Sequence, residues 1–163
     1  MNADMAARLK RCEGYTCIFS LVKEAVGNTL HESRSGLMLA LQKLPEGIGA
    51  LYPVGTNFIV LNKTLLAKVS AIRDDAALKS YIFYVLLHEY LHSLDHLDEG
   101  EVYRLSYEIC KAVLGEGHES TLIARHGIGA VFPELSMMPA IAHDDEAFEI
   151  VPIFDTDDLG YIG

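Results

Sequence analysis

The chain has 163 residues, of which half are hydrophobic and 22% are charged. This length favours one domain, and this composition excludes disorder over most of the chain. No apolar run approaches the roughly 20 residues that a transmembrane helix needs. The N-terminal segment MNADMAARLK lacks the apolar core of a signal peptide. We therefore expect a cytoplasmic protein that does not enter a membrane.

The formal net charge is −10, and most of the excess lies near the C-terminus. Lys and Arg are absent after Arg125, whereas eight carboxylates follow it. An acidic surface repels phosphate backbones, so nucleic acid is not an expected partner. We expect a domain over 1–154 and an acidic tail over 155–163. A sharper hypothesis is latency, in which an Asp or Glu from 144–158 folds over the functional site.

The sequence contains three cysteines, Cys12, Cys17 and Cys110. An odd number without a recognisable signal peptide argues against a disulfide framework. A zinc ribbon would need a second pair of cysteines next to Cys12 and Cys17. We therefore expect three buried, reduced thiols, because free Cys usually packs as a small core residue.

Hydrophobic periodicity predicts helix over the first 44 residues, with Ser35 capping a last helix over 36–44 before Pro45. Two short strand-like runs follow, at 48–52 and 57–61. The intervening Pro53-Val-Gly55 is typical of a turn. These two runs are therefore expected to form a hairpin or a bent edge strand.

A long helix is predicted from about residue 76 to residue 94, with Asp74 or Asp75 as its N-cap. Its segment YIFYVLL is apolar on every side, so this helix should run through the core. A second helix is predicted over 101–114, between Gly100 and the glycines that follow residue 114. A last strand is expected within 149–154.

The long helix contains His88-Glu-Tyr-Leu-His92, which is the HExxH pattern. Histidines at i and i+4 project from the same helical face, so their imidazoles can converge on one zinc ion. Glu89 follows the first ligand directly and can act as general base toward the attacking water. The alternative, three polar side chains satisfied by hydrogen bonds in a core helix, is costly in so apolar a segment. The pattern therefore predicts a zinc-dependent hydrolase.

Zinc in a catalytic site needs a third protein ligand and an open position. His96 continues the i, i+4 series, but in a straight helix it lies about 12 Å from His88 along the axis, too far to share one ion. Asp98 can be the ligand if the helix stops and the chain turns back at Asp95, since Asp tolerates the left-handed conformation. We favour Asp98. The remaining alternatives are Glu108, if the two helices form an antiparallel hairpin, and then Glu101 and His118.

The segment HEYLHSLDHLDE, from His88 to Glu99, resembles the extended motif HExxHxxGxxH/D of metzincin-like zinc peptidases. It is most similar to small, single-domain, intracellular zincin-like proteins with Asp in the third position. The resemblance implies a small α/β (α+β) fold, in which a twisted sheet accompanies an active-site helix and a backing helix. It implies His88, His92 and Asp98 as zinc ligands, Glu89 as general base, and a peptide or protein substrate.

The same resemblance implies that the substrate peptide pairs with an edge strand at 57–61. It also suggests a methionine turn at 136–138 beneath the metal, although packing is the simpler interpretation of those methionines. Asp95 stands where the family pattern has glycine, and if the helix continues there the site becomes gluzincin-like with Glu108. Tyr84 lies on the metal-facing side of the helix, where it either packs or donates to a ligand or an oxyanion.

Two other classes of function stay open. One is a zincin fold retained as a catalytically idle binding or regulatory module. The other is a metal-dependent endoribonuclease, whose HxxxHxxxxxH pattern has the same ligand spacing. Such ribonucleases do not place Glu directly after the first His, so Glu89 and the acidic composition both disfavour that interpretation.

Overall fold

The structure, a computed structural model, describes residues 2–138, 148–152 and 154–155, with side chains from residue 4 onward. These residues form a small α/β fold in which helices outnumber strands, as expected from the sequence. The helices are α1 (Asn2–Arg11), α2 (Gly14–Leu30), α3 (Lys63–Ile72), α4 (Asp75–Ser93), α5 (Glu99–Leu114), α6 (Glu119–His126), α7 (Ile128–Val131) and a 3-10 turn (Pro133–Met137). The strands are β1 (Met38–Gln42), β2 (Ala50–Leu51), β3 (Phe58–Asn62) and β4 (Glu149–Val151).

The four strands form one mixed sheet in the order β2-β3-β1-β4. Strand β3 is parallel to β1 and antiparallel to β2, and β4 is antiparallel to β1. The predicted hairpin between the second and third strands is therefore confirmed. The prediction that 57–61 forms an edge strand is wrong, because β3 has neighbours on both sides and the edges of the described sheet are β2 and β4.

The helix predicted over 36–44 is also wrong, because this segment contains β1. Leu39 and Ala40 are fully buried, and β1 pairs with β3 on one side and with β4 on the other. Helix propensity is a weak preference that such pairing overrides. The sequence reading also missed α3, whose first turn is capped by the Asn62 side chain accepting from the Thr64 backbone N–H.

Helix α4 forms the centre of the core, as predicted. The Asp74 side chain caps it by accepting from the Ala77 backbone N–H. Phe83, Leu86 and Leu87 are completely buried within it, which matches the all-round apolar character of this segment. Helices α2, α5 and α6 all pack against α4.

The chain reverses sharply after α4. Asp95 adopts the left-handed conformation, with a φ of 73°, as expected if the helix stops there. Its backbone N–H donates to the His92 carbonyl, and the His96 N–H donates to the Leu91 carbonyl, which is the bonding pattern of a Schellman motif. Arg34 also donates to the Ser93 carbonyl at 2.9 Å and so ties the loop after α2 to this helix end.

The expectation of three reduced thiols is wrong for two of them. Cys12 and Cys17 form a disulfide that links the end of α1 to the first turn of α2. The short turn between these helices brings the two Cα atoms to 5.5 Å, within the usual range for a disulfide. Cys110 is free and buried, as predicted.

The described C-terminal residues pack against α2 and β1. Phe154 stacks on Phe19 with ring centroids 4.1 Å apart. Asp155, the first residue of the expected tail, is 8% exposed and accepts hydrogen bonds from Lys23 and from the Leu37 backbone N–H. Glu149 pairs with Lys63 at 3.3 Å. The other carboxylates of the latency hypothesis, between 144 and 158, lie outside the described residues.

No helix in the described part of the chain is long and apolar enough to cross a membrane.

Candidate metal centre

The two histidines of the HExxH pattern lie on one buried face of α4 and meet a carboxylate from α5. His88 and His92 are 7% and 9% exposed, and their rings lie 5.0 Å apart. The Glu99 carboxylate contacts both, with Oε2 at 3.3 Å from His88 Nε2 and Oε1 at 2.5 Å from His92 Nε2. One ligand atom from each residue lies within 4.8 Å of the others, so this cluster could hold a metal ion.

The donor set of this cluster could hold a divalent metal. At metal–ligand distances of 2.0 to 2.1 Å, the corners of a tetrahedral site are roughly 3.3 Å apart. The separation of His88 Nε2 from Glu99 Oε2 has this magnitude, whereas the 2.5 Å between His92 Nε2 and Glu99 Oε1 is shorter. Two imidazole nitrogens and one carboxylate oxygen also match the three-ligand sets of catalytic metal centres that keep one position open.

The structure brings Glu99, and not the expected Asp98, to the two histidines. Asp98 is the N-cap of α5, and its Oδ2 accepts from the Glu101 backbone N–H at 2.8 Å. Its short side chain is thereby turned toward its own helix. Glu99 is the first residue of α5, and its longer side chain, 60% exposed, reaches back to α4. The sequence held a signal for this arrangement, because Asp followed three residues later by Glu is a helix-start signature.

The alternative third ligands all have other partners. His96 lies between two carboxylates, with Nε2 at 2.8 Å from Glu32 and Nδ1 at 3.0 Å from Glu101. Glu108 is exposed and pairs with Arg104. His118 caps α6, its Nδ1 accepting from the Ser120 backbone N–H. None of these residues belongs to the metal-competent group found among the described residues.

The turn after α4 also orients one of the histidines. His92 Nδ1 lies 2.8 Å from the His96 carbonyl oxygen, so a proton on Nδ1 donates to that carbonyl. This tautomer leaves the Nε2 lone pair free for a metal, which is the usual arrangement for a histidine ligand. His88 Nδ1 is buried and has no hydrogen-bond partner in the described part of the protein.

Glu89 lies beside this cluster and lines the same cavity. It is 7% exposed, and burial raises the pKa of its carboxyl to about 8, with a further contribution from the charge of Glu99. A carboxyl with a pKa in this range can both accept and release a proton near neutral pH. Burial also lowers the pKa of His88; the Glu99 charge opposes this shift and His92 adds to it. A low pKa favours neutral imidazole, the form that binds metals.

The cavity at the cluster has a volume of about 740 Å³. Strand β2, helix α4 and the start of α5 contribute to its walls, and Leu51 and Leu97 give it apolar surface. Tyr84 lines it, as its predicted metal-facing position implies, and burial raises the pKa of its phenol. Tyr103, which the sequence reading did not single out, lies next to His88, with ring centroids 5.0 Å apart and ring planes at 59° to each other. Both phenols can donate hydrogen bonds into the cavity.

Of the two methionines in the suggested methionine turn, Met138 is half-buried and Met137 is exposed. Met137 is 86% exposed, so its side chain neither packs in the core nor supports the cluster. The neighbouring Ser136 instead contributes to the cavity wall.

Comparison with known proteins finds no matching family model, no similar curated protein and no similar solved structure.

Proposed function

We propose that this protein is a zinc-dependent metallopeptidase of the zincin type, with His88, His92 and Glu99 as metal ligands and Glu89 as general base. One observation carries the proposal. The Glu99 carboxylate meets Nε2 of both histidines of the HExxH pattern, and the intervening Glu89 opens into the same cavity. A core helix has no structural need for this combination, since buried polar groups are costly unless they are paired.

Zinc, when bound, supplies Lewis-acid activation of the scissile carbonyl and of the attacking water. The side chains of this protein supply the proton transfers. Glu89, between the two histidines in sequence and in the same cavity, takes the proton from the water and delivers it to the leaving amine. The Tyr103 ring lies next to His88, and its phenol would donate to the carbonyl oxygen as negative charge develops there.

The edge strand β2 supports an extended peptide as substrate. Ala50 and Leu51 line the cavity, and β2 has a strand neighbour on only one side in the described sheet. The Asn62 backbone N–H donates to the Gly49 carbonyl, so the alternation of an antiparallel ladder directs the Ala50 N–H and C=O away from β3. An extended peptide can pair with these groups by strand addition.

The proposal is tested first by metal content on protein purified without chelators. We expect about one zinc per chain in the parent and none in His92→Ala, because a pair of ligands does not hold the ion. Glu89→Gln should keep the metal and lose peptide cleavage in a screen of mixed peptides. A parent protein that stays metal-free after incubation with zinc would contradict the proposal and leave the binding-module interpretation.

A further inference from the structure

Lys68 of α3 is a buried lysine in the wall of the cavity. It is 6% exposed, and no described residue forms a hydrogen bond or an ion pair with its ammonium. Other buried or half-buried lysines are paired; Lys23, for example, binds Asp155 at 2.9 Å. The Lys68 ammonium is not among the buried polar atoms of the described residues that lack a partner, so it reaches the solvent of the cavity, where an anion can contact it.

The position of Lys68 relative to the metal cluster follows from its neighbours. Lys68 lies one helical turn after Leu65, which approaches Gly49 together with Tyr81 and Val85 of α4. Tyr81 and Val85 precede His88 by two turns and one turn of the same helix. At a rise of 1.5 Å per residue, Tyr81 and Val85 lie about 5 to 10 Å before His88 along the axis of α4. An extended peptide covers that distance in roughly two or three residues.

The other charged side chains in the cavity wall make this lysine selective. Besides the two histidines, the remaining ionisable groups of the wall include the carboxylates Glu46, Glu89 and Glu99, and Lys68 is the only lysine or arginine among the described lining residues. A negative group on a substrate is therefore repelled near Glu46 and Glu99 and attracted at Lys68. Such an arrangement specifies where the charge of a ligand must lie.

We propose that Lys68 binds a carboxylate of the substrate, two or three residues from the bond that is cleaved. This inference rests on the proposed peptidase function, since it names the substrate class of the same cavity. The carboxylate belongs either to the C-terminus of a short peptide or to an acidic side chain. The apolar walls fit hydrophobic residues between that carboxylate and the scissile bond.

Binding of labelled peptides to the full chain tests the inference without relying on cleavage. The probes are N-terminally fluorescein-labelled apolar peptides of three to six residues, each as free acid and as C-terminal amide. Amidated peptides that end in Glu or Gln separate a side-chain carboxylate from a terminal one. Anisotropy is measured first without metal, so that a carboxylate cannot gain affinity from the ion, and then with one equivalent of zinc.

We expect one carboxylate series to bind roughly 10-fold to 100-fold more tightly than its neutral counterpart, the range for a hydrogen bond to a charged group. Lys68→Met should remove this preference, whereas Lys68→Arg should retain it and show that the cavity is intact. Lys10→Met is the matched control, because Lys10 is exposed on α1. Equal binding of acids and neutral peptides, or no binding of either, would overturn the inference.

The experiments distinguish a failure of the carboxylate-binding inference from a failure of the peptidase proposal. A carboxylate preference that depends on Lys68, in a protein that cleaves no peptide, supports the binding site and contradicts the catalytic function. If the rate of cleavage does not depend on a carboxylate in the peptide and is unchanged in Lys68→Met, the catalytic function is supported and the carboxylate site is contradicted.

Discussion

Asp98 and Glu99 are adjacent carboxylates at the start of α5, yet they have different partners. The Asp98 side chain caps the helix, whereas the Glu99 side chain reaches the two histidines of α4. Their roles can therefore be separated by single substitutions, although the residues share one turn of chain.

We expect Asp98→Ala to lower the free energy of unfolding by about 1 kcal/mol, because the N-cap hydrogen bond is lost. Its zinc affinity should stay close to that of the parent. Glu99→Ala should reduce zinc affinity by roughly 100-fold or more while changing the stability of the metal-free protein by less than about 0.5 kcal/mol, since its side chain is largely exposed. Competition with a chromophoric chelator and urea unfolding measure the two quantities. The reverse pattern would identify Asp98 as the ligand.

Helix periodicity is sufficient to predict His88, Glu89 and His92 as one cluster, because their relative positions depend only on α4. The third member of the cluster depends on the turn between two helices, where the capping residue Asp98 and the proposed ligand Glu99 differ by one position. The left-handed conformation at Asp95 could be predicted from the sequence. This conformation does not by itself decide whether Asp98 or Glu99 reaches the two histidines of α4.

Gly49 and Tyr81 form a tight contact at the cavity wall. A Cβ at position 49 would lie 2.9 Å from the Tyr81 hydroxyl, which is buried and has no hydrogen-bond partner among the described residues. We expect Gly49→Ala to destabilise the protein by about 1 kcal/mol through overpacking. Tyr81→Phe should be neutral or slightly stabilising, because it removes an unsatisfied hydroxyl.

The double variant distinguishes this contact from a general effect of alanine at position 49. In the Tyr81→Phe background, Gly49→Ala should cost about 1 kcal/mol less than in the parent, because the obstructing oxygen is absent. Urea unfolding of the four proteins without metal gives the coupling energy. Additive effects would mean that the hydroxyl is not the group that excludes a side chain from position 49.

At the scale of elements, α6 begins with an unusual cap. His118 Nδ1 accepts from the Ser120 backbone N–H at 3.1 Å, which requires a deprotonated nitrogen, and burial lowers the pKa of this imidazole below its usual 6.5. The unfolded chain therefore binds a proton near pH 6.5 that the folded protein binds only at lower pH. Stability should fall as the pH decreases from about 6.5 toward the lower pKa of the folded state.

His118→Asn is the variant that tests this cap. Asn also caps helices but does not titrate, so the loss of stability below pH 6.5 should be smaller than in the parent. Urea unfolding of the metal-free proteins between pH 5 and pH 8 measures the difference. Parallel curves for the two proteins would show that His118 does not contribute to the acid sensitivity.

Strand β1 could not be predicted from its local sequence. The segment MLALQ of β1 has good helix formers, and only its pairing with β3 and β4, which are distant in sequence, makes it a strand. The YIFYVLL segment of α4 was predictable because its length and all-round apolar character agree with its buried position. The Cys12–Cys17 disulfide was missed because a count of cysteines says nothing about how closely two helices approach at a turn.

At the scale of the whole molecule, the proposed metal ligands join the two helices that surround the turn at Asp95. His88 and His92 lie in the core helix α4, and Glu99 begins α5, which packs against α1, α2, α4 and α6. An ion held by both helices binds the folded protein and not the unfolded chain, in which the three ligands are separated. Binding must therefore raise the stability of the entire fold.

We expect zinc at 100 times its dissociation constant to add about 2.7 kcal/mol to the free energy of unfolding. For a chain of this size, that corresponds to a rise in Tm of roughly 5 to 10 °C. Calorimetry with zinc, and again after removal of the ion by a chelator, measures the change. Glu89→Gln should show the full rise, because Glu89 is not a ligand, and His92→Ala should show almost none. A rise of similar size in His92→Ala would mean that zinc stabilises the protein at another place, since the cluster between α4 and α5 cannot hold the ion without that imidazole.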